Sequence, residues 1–352
     1  MDHVSRLLER MLAADLPALL ISHIGNVQWL TGFTGSFGLV VLTPSQGIFI
    51  TDSRYTIQAQ EQIQGLTIRS FANPTTSAEA LLGALKEAGV SRIGFEKSMT
   101  YANWEDWTQK LTGIELIPTA DLISPLRMVK TPEELERLRE ACKLADATME
   151  HALRMIQPGV REYDIGLDVE FFIRRNGAAI AFEPIVVSGP NSARPHGRPG
   201  ERRLQAGDFV TLDLGAKLDG YNSDITRTVV VGKASDRQRE IYNRVLEAQL
   251  AAIAALRPGA NGREVDALAR RKLGDLAAHF GHGLGHGLGR DVHDAGGLSP
   301  TRDQPIEAGQ VWTVEPGVYI EGFGGVRIED DVIVTDESPE VITHTPKVLL
   351  EL

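Results

Sequence analysis

LQAGDFVTLDLG (204–215) and IEAGQVWTVEPG (306–317) decide the fold. Ala206 and Ala308, Gly207 and Gly309, Thr211 and Thr313, and Asp213 and Glu315 all lie 102 residues apart. A second pair of segments, RMIQPGVREYDI (154–165) and AALRPGANGREVDAL (254–268), carries the same offset from Arg161 to Arg263. Each of these ends a helix in Pro-Gly and restarts with Arg-Glu-x-Asp. One offset shared by separate segments signals an internal duplication. The repeat covers 130–232 and 233–340. Each half is predicted as helices followed by an antiparallel hairpin, and the two halves as packing about a pseudo-twofold axis with their sheets forming one curved surface.

At the start of the first repeat, Thr131-Pro132-Glu133-Glu134 is a helix start. Thr131 can cap, Pro132 suits the first helical position, and Glu134 completes a capping box. Leu135, Leu138, Cys142, Ala145, Met149 and Leu153 then form an apolar face. Before that point the chain alternates strand-like runs (18–23, 37–43, 47–52, 91–96) with helical ones (53–63, 77–89), after an amphipathic N-terminal helix. The expectation is a small α/β domain over 1–125 and the duplicated domain over 126–352, an α/β (α+β) chain.

Hydrophobic residues make up 42% of the 352 and the formal net charge is −11. That balance disfavours nucleic acid and anionic membrane surfaces as partners. No apolar run approaches the roughly 18 residues of a membrane span. The one cysteine, Cys142, excludes a disulfide framework and reads as a small core residue. The expected location is the cytoplasm.

Acids are depleted in strands, yet Asp213 sits in FVTLDLGA and Asp224 in SDITRTVVVG, joined by the turn-rich AKLDGYN. A turn centred between Leu218 and Asp219 would set the two directly opposite, with Cβ atoms roughly 4.5–5.5 Å apart. Glu315 and Glu329 repeat the arrangement across EGFGG. Taken alone, Glu329 followed by Asp330 and Asp331 reads as a solvated strand end. Taken together, four acids at related places in two repeats ask for cations between them. HGLGHGLGRDVHD (282–294) adds imidazoles on a glycine-rich backbone that can approach closely. Four carboxylates and one imidazole suit two bridged divalent ions. Oxygen-rich ligation favours Mn²⁺, with Zn²⁺ and Co²⁺ also compatible.

The ordered set LDLGAKLDGYNSDITRT, HGLGHGLGRDVHD, TVEPGVY and GVRIEDDV resembles the pita-bread metallopeptidases, and within them the Xaa-Pro peptidases, prolidase and aminopeptidase P. WLTGFTGS (29–36) and TDSRY (51–55) resemble the creatinase-type N-terminal domain of those enzymes. The resemblance implies metal ligands at Asp213, Asp224, His286, Glu315 and Glu329. It selects His286 over His282, because the second histidine of this segment is the ligand. Asp224 and Glu329 would bridge or chelate, Asp213 would hold one ion, and His286 and Glu315 the other. His196 and His293 match histidines that contact substrate, and Arg327 matches an arginine behind the carboxylates. His282 would line the substrate side, and His279 is assigned to the helix surface.

The implied reaction is hydrolysis of the bond preceding proline in short peptides, with Glu315 as proton shuttle and His293 beside the developing oxyanion. Arg194, Arg198, Arg202 and Arg203 crowd the His196 loop and could read a terminal carboxylate. That favours a dipeptidase over aminopeptidase P acting on longer peptides. A homodimer is implied, with residues 32–38 as a closing loop. Methionine aminopeptidase, creatinase and a non-catalytic peptide-binding scaffold are the rivals. The long N-terminal domain counts against the first, and the intact ligand set against the other two.

Overall fold

The structure, a computed structural model, describes residues 3–352 and separates into two units, one ending at Arg127 and one running from Met128 to Leu352. In the first unit six strands form one sheet in the order Thr67–Phe71, Gly47–Asp52, Leu39–Leu42, Leu19–Ile21, Arg92–Phe95, Glu115–Pro118. Side chains alternate across a strand. Leu19, Ile21, Val40 and Phe49 therefore enter one core, while Leu20, Val41, Ile48 and Ile50 enter another on the opposite face. Both faces are covered, as a mixed α/β sheet requires. The two outer strands escaped the sequence reading. They lie at the sheet edges and carry charges, Arg69 pairing with Glu87 and Glu115 with Arg92, so no clean apolar alternation marks them.

The second unit shows the duplication in its backbone. Helix Pro132–Leu153 starts with the capping box: Glu134 N–H donates to Thr131 Oγ1 at 3.3 Å and Thr131 N–H to the Glu134 carboxylate at 2.8 Å. It is followed by Glu162–Arg175, and the second half repeats the pair as Asp236–Ala255 and Gly262–Leu273. Gly159 N–H donates to Leu204 O, and Leu204 N–H to Val160 O. In the second half Gly259 bonds Ile306 and Ile306 bonds Ala260 in the same way. Each half has its own apolar core. Among the described residues, no helix is long and apolar enough to cross a membrane.

The hairpin registers correct one expectation. Asp213 faces Thr226, not Asp224. The link from Lys217↔Asn222 to Leu218↔Tyr221 closes on Asp219 and Gly220, both at positive φ (48° and 83°), as a two-residue type I′ turn demands. The true turn centre shifts the pairing by two residues. A two-residue shift preserves the face, so both aspartates still point the same way, as diagonal neighbours.

The second hairpin runs in one register from Val314↔Asp330 to Gly317↔Arg327, which sets Glu315 across from Glu329. The two halves are therefore not symmetric in their acids. Thr226 holds the place that Glu329 holds in the second half, and Asp224 the place of Arg327. Thr228, facing Thr211, matches Asp331, facing Thr313.

Candidate metal centre

The strand ends and the His-Gly segment converge on a cavity of about 680 Å³ within the second unit. Asp213, Asp224, His286, Glu315 and Glu329 all line it. His286 sits on the short strand Gly285–Gly287, pressed against Val311–Val314 and Asp294–Leu298. Here the glycines serve space. A Cβ on Gly285 would lie 1.9 Å from Thr313 O, and one on Gly287 2.1 Å from Ala295 O. Thr313 Oγ1 accepts the His286 backbone N–H at 3.0 Å.

His286 Nδ1 lies 3.1 Å from Gly287 O. A carbonyl only accepts, so Nδ1 carries the proton and Nε2 keeps its lone pair. That Nε2 lies 3.6 Å from both Asp224 Oδ2 and Glu315 Oε1. Burial, then the neighbouring His293, holds the His286 pKa down to about 4, so the ring is neutral at pH 7. A lone pair thus faces two acceptor groups. Ligand atoms of Asp224, His286 and Glu329 lie within 4.8 Å of one another. Asp213 Oδ1 is buried without a hydrogen-bond partner, while its Oδ2 receives Arg327 at 2.5 Å.

Without a cation these acids resist ionisation. Burial, then Glu329, pushes Asp224 and Glu315 well above the usual carboxylate range. Burial, then Asp213, pushes Glu329 up to about 8. Converging acceptors, an orphaned carboxylate oxygen and a neutral imidazole with its lone pair turned inward are the donor set of a divalent-cation site.

Arg327 supplies the one buried guanidinium of this cavity. Besides Asp213 it donates to Thr226 Oγ1 (3.1 Å), Pro195 O (3.2 Å) and Tyr319 OH (2.9 Å). Tyr319 OH meets His282 Nε2 at 2.9 Å, and His282 Nδ1 donates to Gly283 O. Burial lowers His282 to about 4, so it too is neutral. His293 is exposed, its ring 4.2 Å from that of His286 at 77°, and His196 lines the same cavity. His279 is exposed and does not line the cavity.

The arginine cluster disperses. Arg194 is exposed and does not line the cavity, which corrects its expected role. Arg202 is committed to Asp208 and Ser188, and Arg203 to the Gly159 carbonyl. Of these four, Arg198 alone lines the cavity, its guanidinium 3.2 Å from Glu183. Asp330 and Asp331 correct a second expectation: both are fully buried. Asp330 is satisfied by Arg227, Lys347 and Gln249.

Thr226, Tyr319 and Asp331 were missed in the sequence. Strand alternation could have found two of them, since Thr226 lies two residues beyond Asp224 and Asp331 two beyond Glu329. Thr226 donates to Glu329 Oε2 at 2.6 Å and its carbonyl accepts the Glu329 N–H.

Known proteins resemble the chain along its whole length. Residues 3–129 match the Creatinase/Prolidase N-terminal domain, and residues 136–336 match Metallopeptidase family M24. The Xaa-Pro dipeptidase of Pyrococcus horikoshii is 33% identical over 354 residues, covering 99% of each chain. A solved Xaa-Pro dipeptidase from Bacillus anthracis is 43% identical over 99% of each chain, with a TM-score of 0.95. A solved X-Pro aminopeptidase from Thermotoga maritima is 30% identical over all of both chains, with a TM-score of 0.92. The family models cover most of the chain, and this chain belongs to Metallopeptidase family M24, with a creatinase/prolidase-type N-terminal domain.

Proposed function

We propose that the chain is a metal-dependent peptidase that hydrolyses the Xaa-Pro bond at a peptide N-terminus, acting as an Xaa-Pro dipeptidase. The observation that carries this reading is the neutral His286 lone pair turned onto Asp224 and Glu315 in a substrate-sized cavity. Full-length similarity to dipeptidases supports the substrate class. Asp213, Asp224 and Glu329 would hold one divalent ion, and Asp224, His286, Glu315 and Glu329 the other. The oxygen-rich set favours Mn²⁺. Such a pair supplies a Lewis acid and makes hydroxide available near neutral pH.

The chain's own groups do the rest. Glu315 takes a proton from the attacking water and returns it to the leaving imide nitrogen. His293, exposed beside His286, donates to the carbonyl oxygen as charge develops there. His196 steadies the proline side. Arg327 neutralises Asp213 and fixes Tyr319, which orients His282 as a neutral wall of the substrate site. Arg198 turns from Glu183 to the terminal carboxylate of a dipeptide. We further propose a homodimer acting on short proline peptides in the cytoplasm.

Aminopeptidase P activity on longer peptides is the second reading, favoured by the close likeness to the Thermotoga enzyme and by the reduction of the arginine cluster to Arg198. Hydrolysis of Ala-Pro and Ala-Pro-Ala, side by side with added Mn²⁺, separates the two. Cleavage of the dipeptide alone supports the proposal. Equal or faster cleavage of the tripeptide replaces it with aminopeptidase P, and no cleavage of either sinks both.

A further inference from the structure

We infer that Glu162 is a positioning residue for the segment 189–200, and that it sets His196 and Arg198 where they meet substrate. The inference rests on the peptidase reading above. His196 and Arg198 both line the cavity and both are exposed, so the path of their backbone, more than packing, must place them. Glu162, the first residue of helix Glu162–Arg175, is fully buried. Its Oε1 accepts the Ser188 N–H and the Ser188 hydroxyl, each at 2.7 Å. Its Oε2 accepts the Gly200 N–H at 3.2 Å. The Asn191 amide donates to both oxygens, at 3.3 and 3.4 Å. One carboxylate thus grips the residue before the segment, one inside it and its last residue. Arg202 donates to Ser188 Oγ at 2.6 Å, which turns the hydroxyl proton toward Glu162.

The other half of the domain shows what this carboxylate replaces. Gly262 opens helix Gly262–Leu273 at the matching place: its N–H donates to Gln304 O as that of Glu162 donates to Arg202 O. There the chain after Gly285–Gly287 returns as strand Asp294–Leu298, and backbone pairing holds it. No side chain is needed at Gly262, and space is short, since a Cβ would lie 3.0 Å from Leu298 and 3.2 Å from Gln304. In the first half Ile185–Ser188 is the edge strand of its sheet, paired with Phe209–Leu214. Among the described residues no strand returns beside its other edge; the chain turns instead into the short helix Gly189–Ala193. The N–H groups of Ser188 and Gly200 need the acceptors that a ladder would have given, and Glu162 supplies them. An acceptor-only group suits the place, because every group that meets it donates. The middle of the segment is tied separately, Ser192 Oγ accepting the Gly325 N–H and Pro195 O accepting Arg327. Glu162 therefore governs the ends. Gly200 O also accepts the Tyr163 N–H, so loss of the carboxylate loosens the arm from His196 to Gly200 without detaching it.

The test is steady-state hydrolysis of whichever of Ala-Pro and Ala-Pro-Ala the wild type cleaves faster, with amide hydrogen exchange of the segment and Mn²⁺ uptake measured beside it. Displacing a substrate contact by about 1 Å can cost up to ~100-fold. Glu162→Ala should therefore raise KM by about tenfold, with kcat lowered by less than about threefold. Exchange across 189–200 should quicken severalfold, while Mn²⁺ uptake stays as in the wild type. Glu162→Gln keeps an acceptor for Ser188 but turns an amide toward Gly200, and should fall between the two. His196→Ala added to Glu162→Ala should raise KM by less than it does in the wild type, because the placement it depends on is already lost. Full additivity overturns the inference, as does unchanged exchange across the segment. A fall in kcat and Mn²⁺ uptake as large as the rise in KM, or failure of both Glu162 variants to fold, makes the residue structural and overturns it too. Wild-type protein that cleaves neither peptide would instead sink the peptidase reading. Wild-type turnover with KM unmoved in Glu162→Ala would sink only this inference.

Discussion

The two halves of the second unit share helices, turns and strand register, yet differ at the positions that face the cavity. The first half presents Asp213, Asp224 and Thr226; the second presents Glu315, Arg327 and Glu329 at the matching places. Repetition built the scaffold, and departures from repetition made the site. A symmetric set, with acids at both 224 and 327, would lose the cation that neutralises Asp213 and bonds Tyr319. The first half also meets the second through exchanged contacts: Glu329 N–H donates to Thr226 O, and the Asp224 N–H to Asp331. Ligand geometry in each half therefore depends on the other.

The sharpest way to break this comparison is to remove each member of one matched pair in turn. Asp224→Ala should abolish Mn²⁺ uptake, measured by metal analysis after dialysis, and reduce Ala-Pro hydrolysis by well over ~100-fold. Retention of full activity would refute the ligand assignment. Arg327→Met should instead act on folding. It strands the Asp213 carboxylate in a buried place, and removing one partner of such a pair costs about 3–5 kcal/mol, read by urea unfolding of the metal-free protein. An effect under 1 kcal/mol would mean that Asp213 needs no cation.

Next in size is the close packing of the His-Gly segment. Gly285→Ala drives a methyl into Thr313 O and should cost about 1–3 kcal/mol. Gly281→Ala, with nothing within 4 Å, should stay within about 0.5 kcal/mol. Equal effects would show that the segment yields.

Acidity gives a smaller, directional test. In the metal-free protein Glu329 keeps its proton up to about pH 8, whereas an unfolded glutamate loses it near pH 4.5. Between those values the folded state holds more protons, so stability falls as pH rises. His282 and His286 act in the opposite sense from about pH 4 to 6.5, where only the unfolded chain protonates them. The net fall should therefore be clear from pH 6.5 to 8, measured as a dropping unfolding temperature. Saturating Mn²⁺ should remove it. A flat metal-free profile would contradict the buried-acid picture. The smallest contrast is between two arginines of one loop: Arg198→Ala should raise KM for Ala-Pro severalfold, and Arg194→Ala should leave it unchanged.

Much of this was readable from the chain because the repeat has a fixed offset and the ligands lie in strands, where acids are conspicuous. The pairing of Asp213 was misread because turn position depends on which residues accept positive φ. Asp219-Gly220 is itself a type I′ signal, and the positive φ at both residues sets the turn centre between them, not before Asp219. The burial of Asp330 was hidden because its partners are distant, Arg227 about a hundred residues before it and Gln249 on a helix. Loop arginines were overcounted for the same reason: nothing local shows that Arg202 is spent on Asp208.

The repeated architecture of the two halves carries a last consequence. Were such halves identical and merely associated, any residue at one face of the cavity would be forced onto the other. Asp224 opposite Arg327 would then be impossible; the choice would be two acids or two bases. Joining the halves by the short link after Val230 releases that constraint. Covalent continuity, in this molecule, is what permits a cavity with unlike walls.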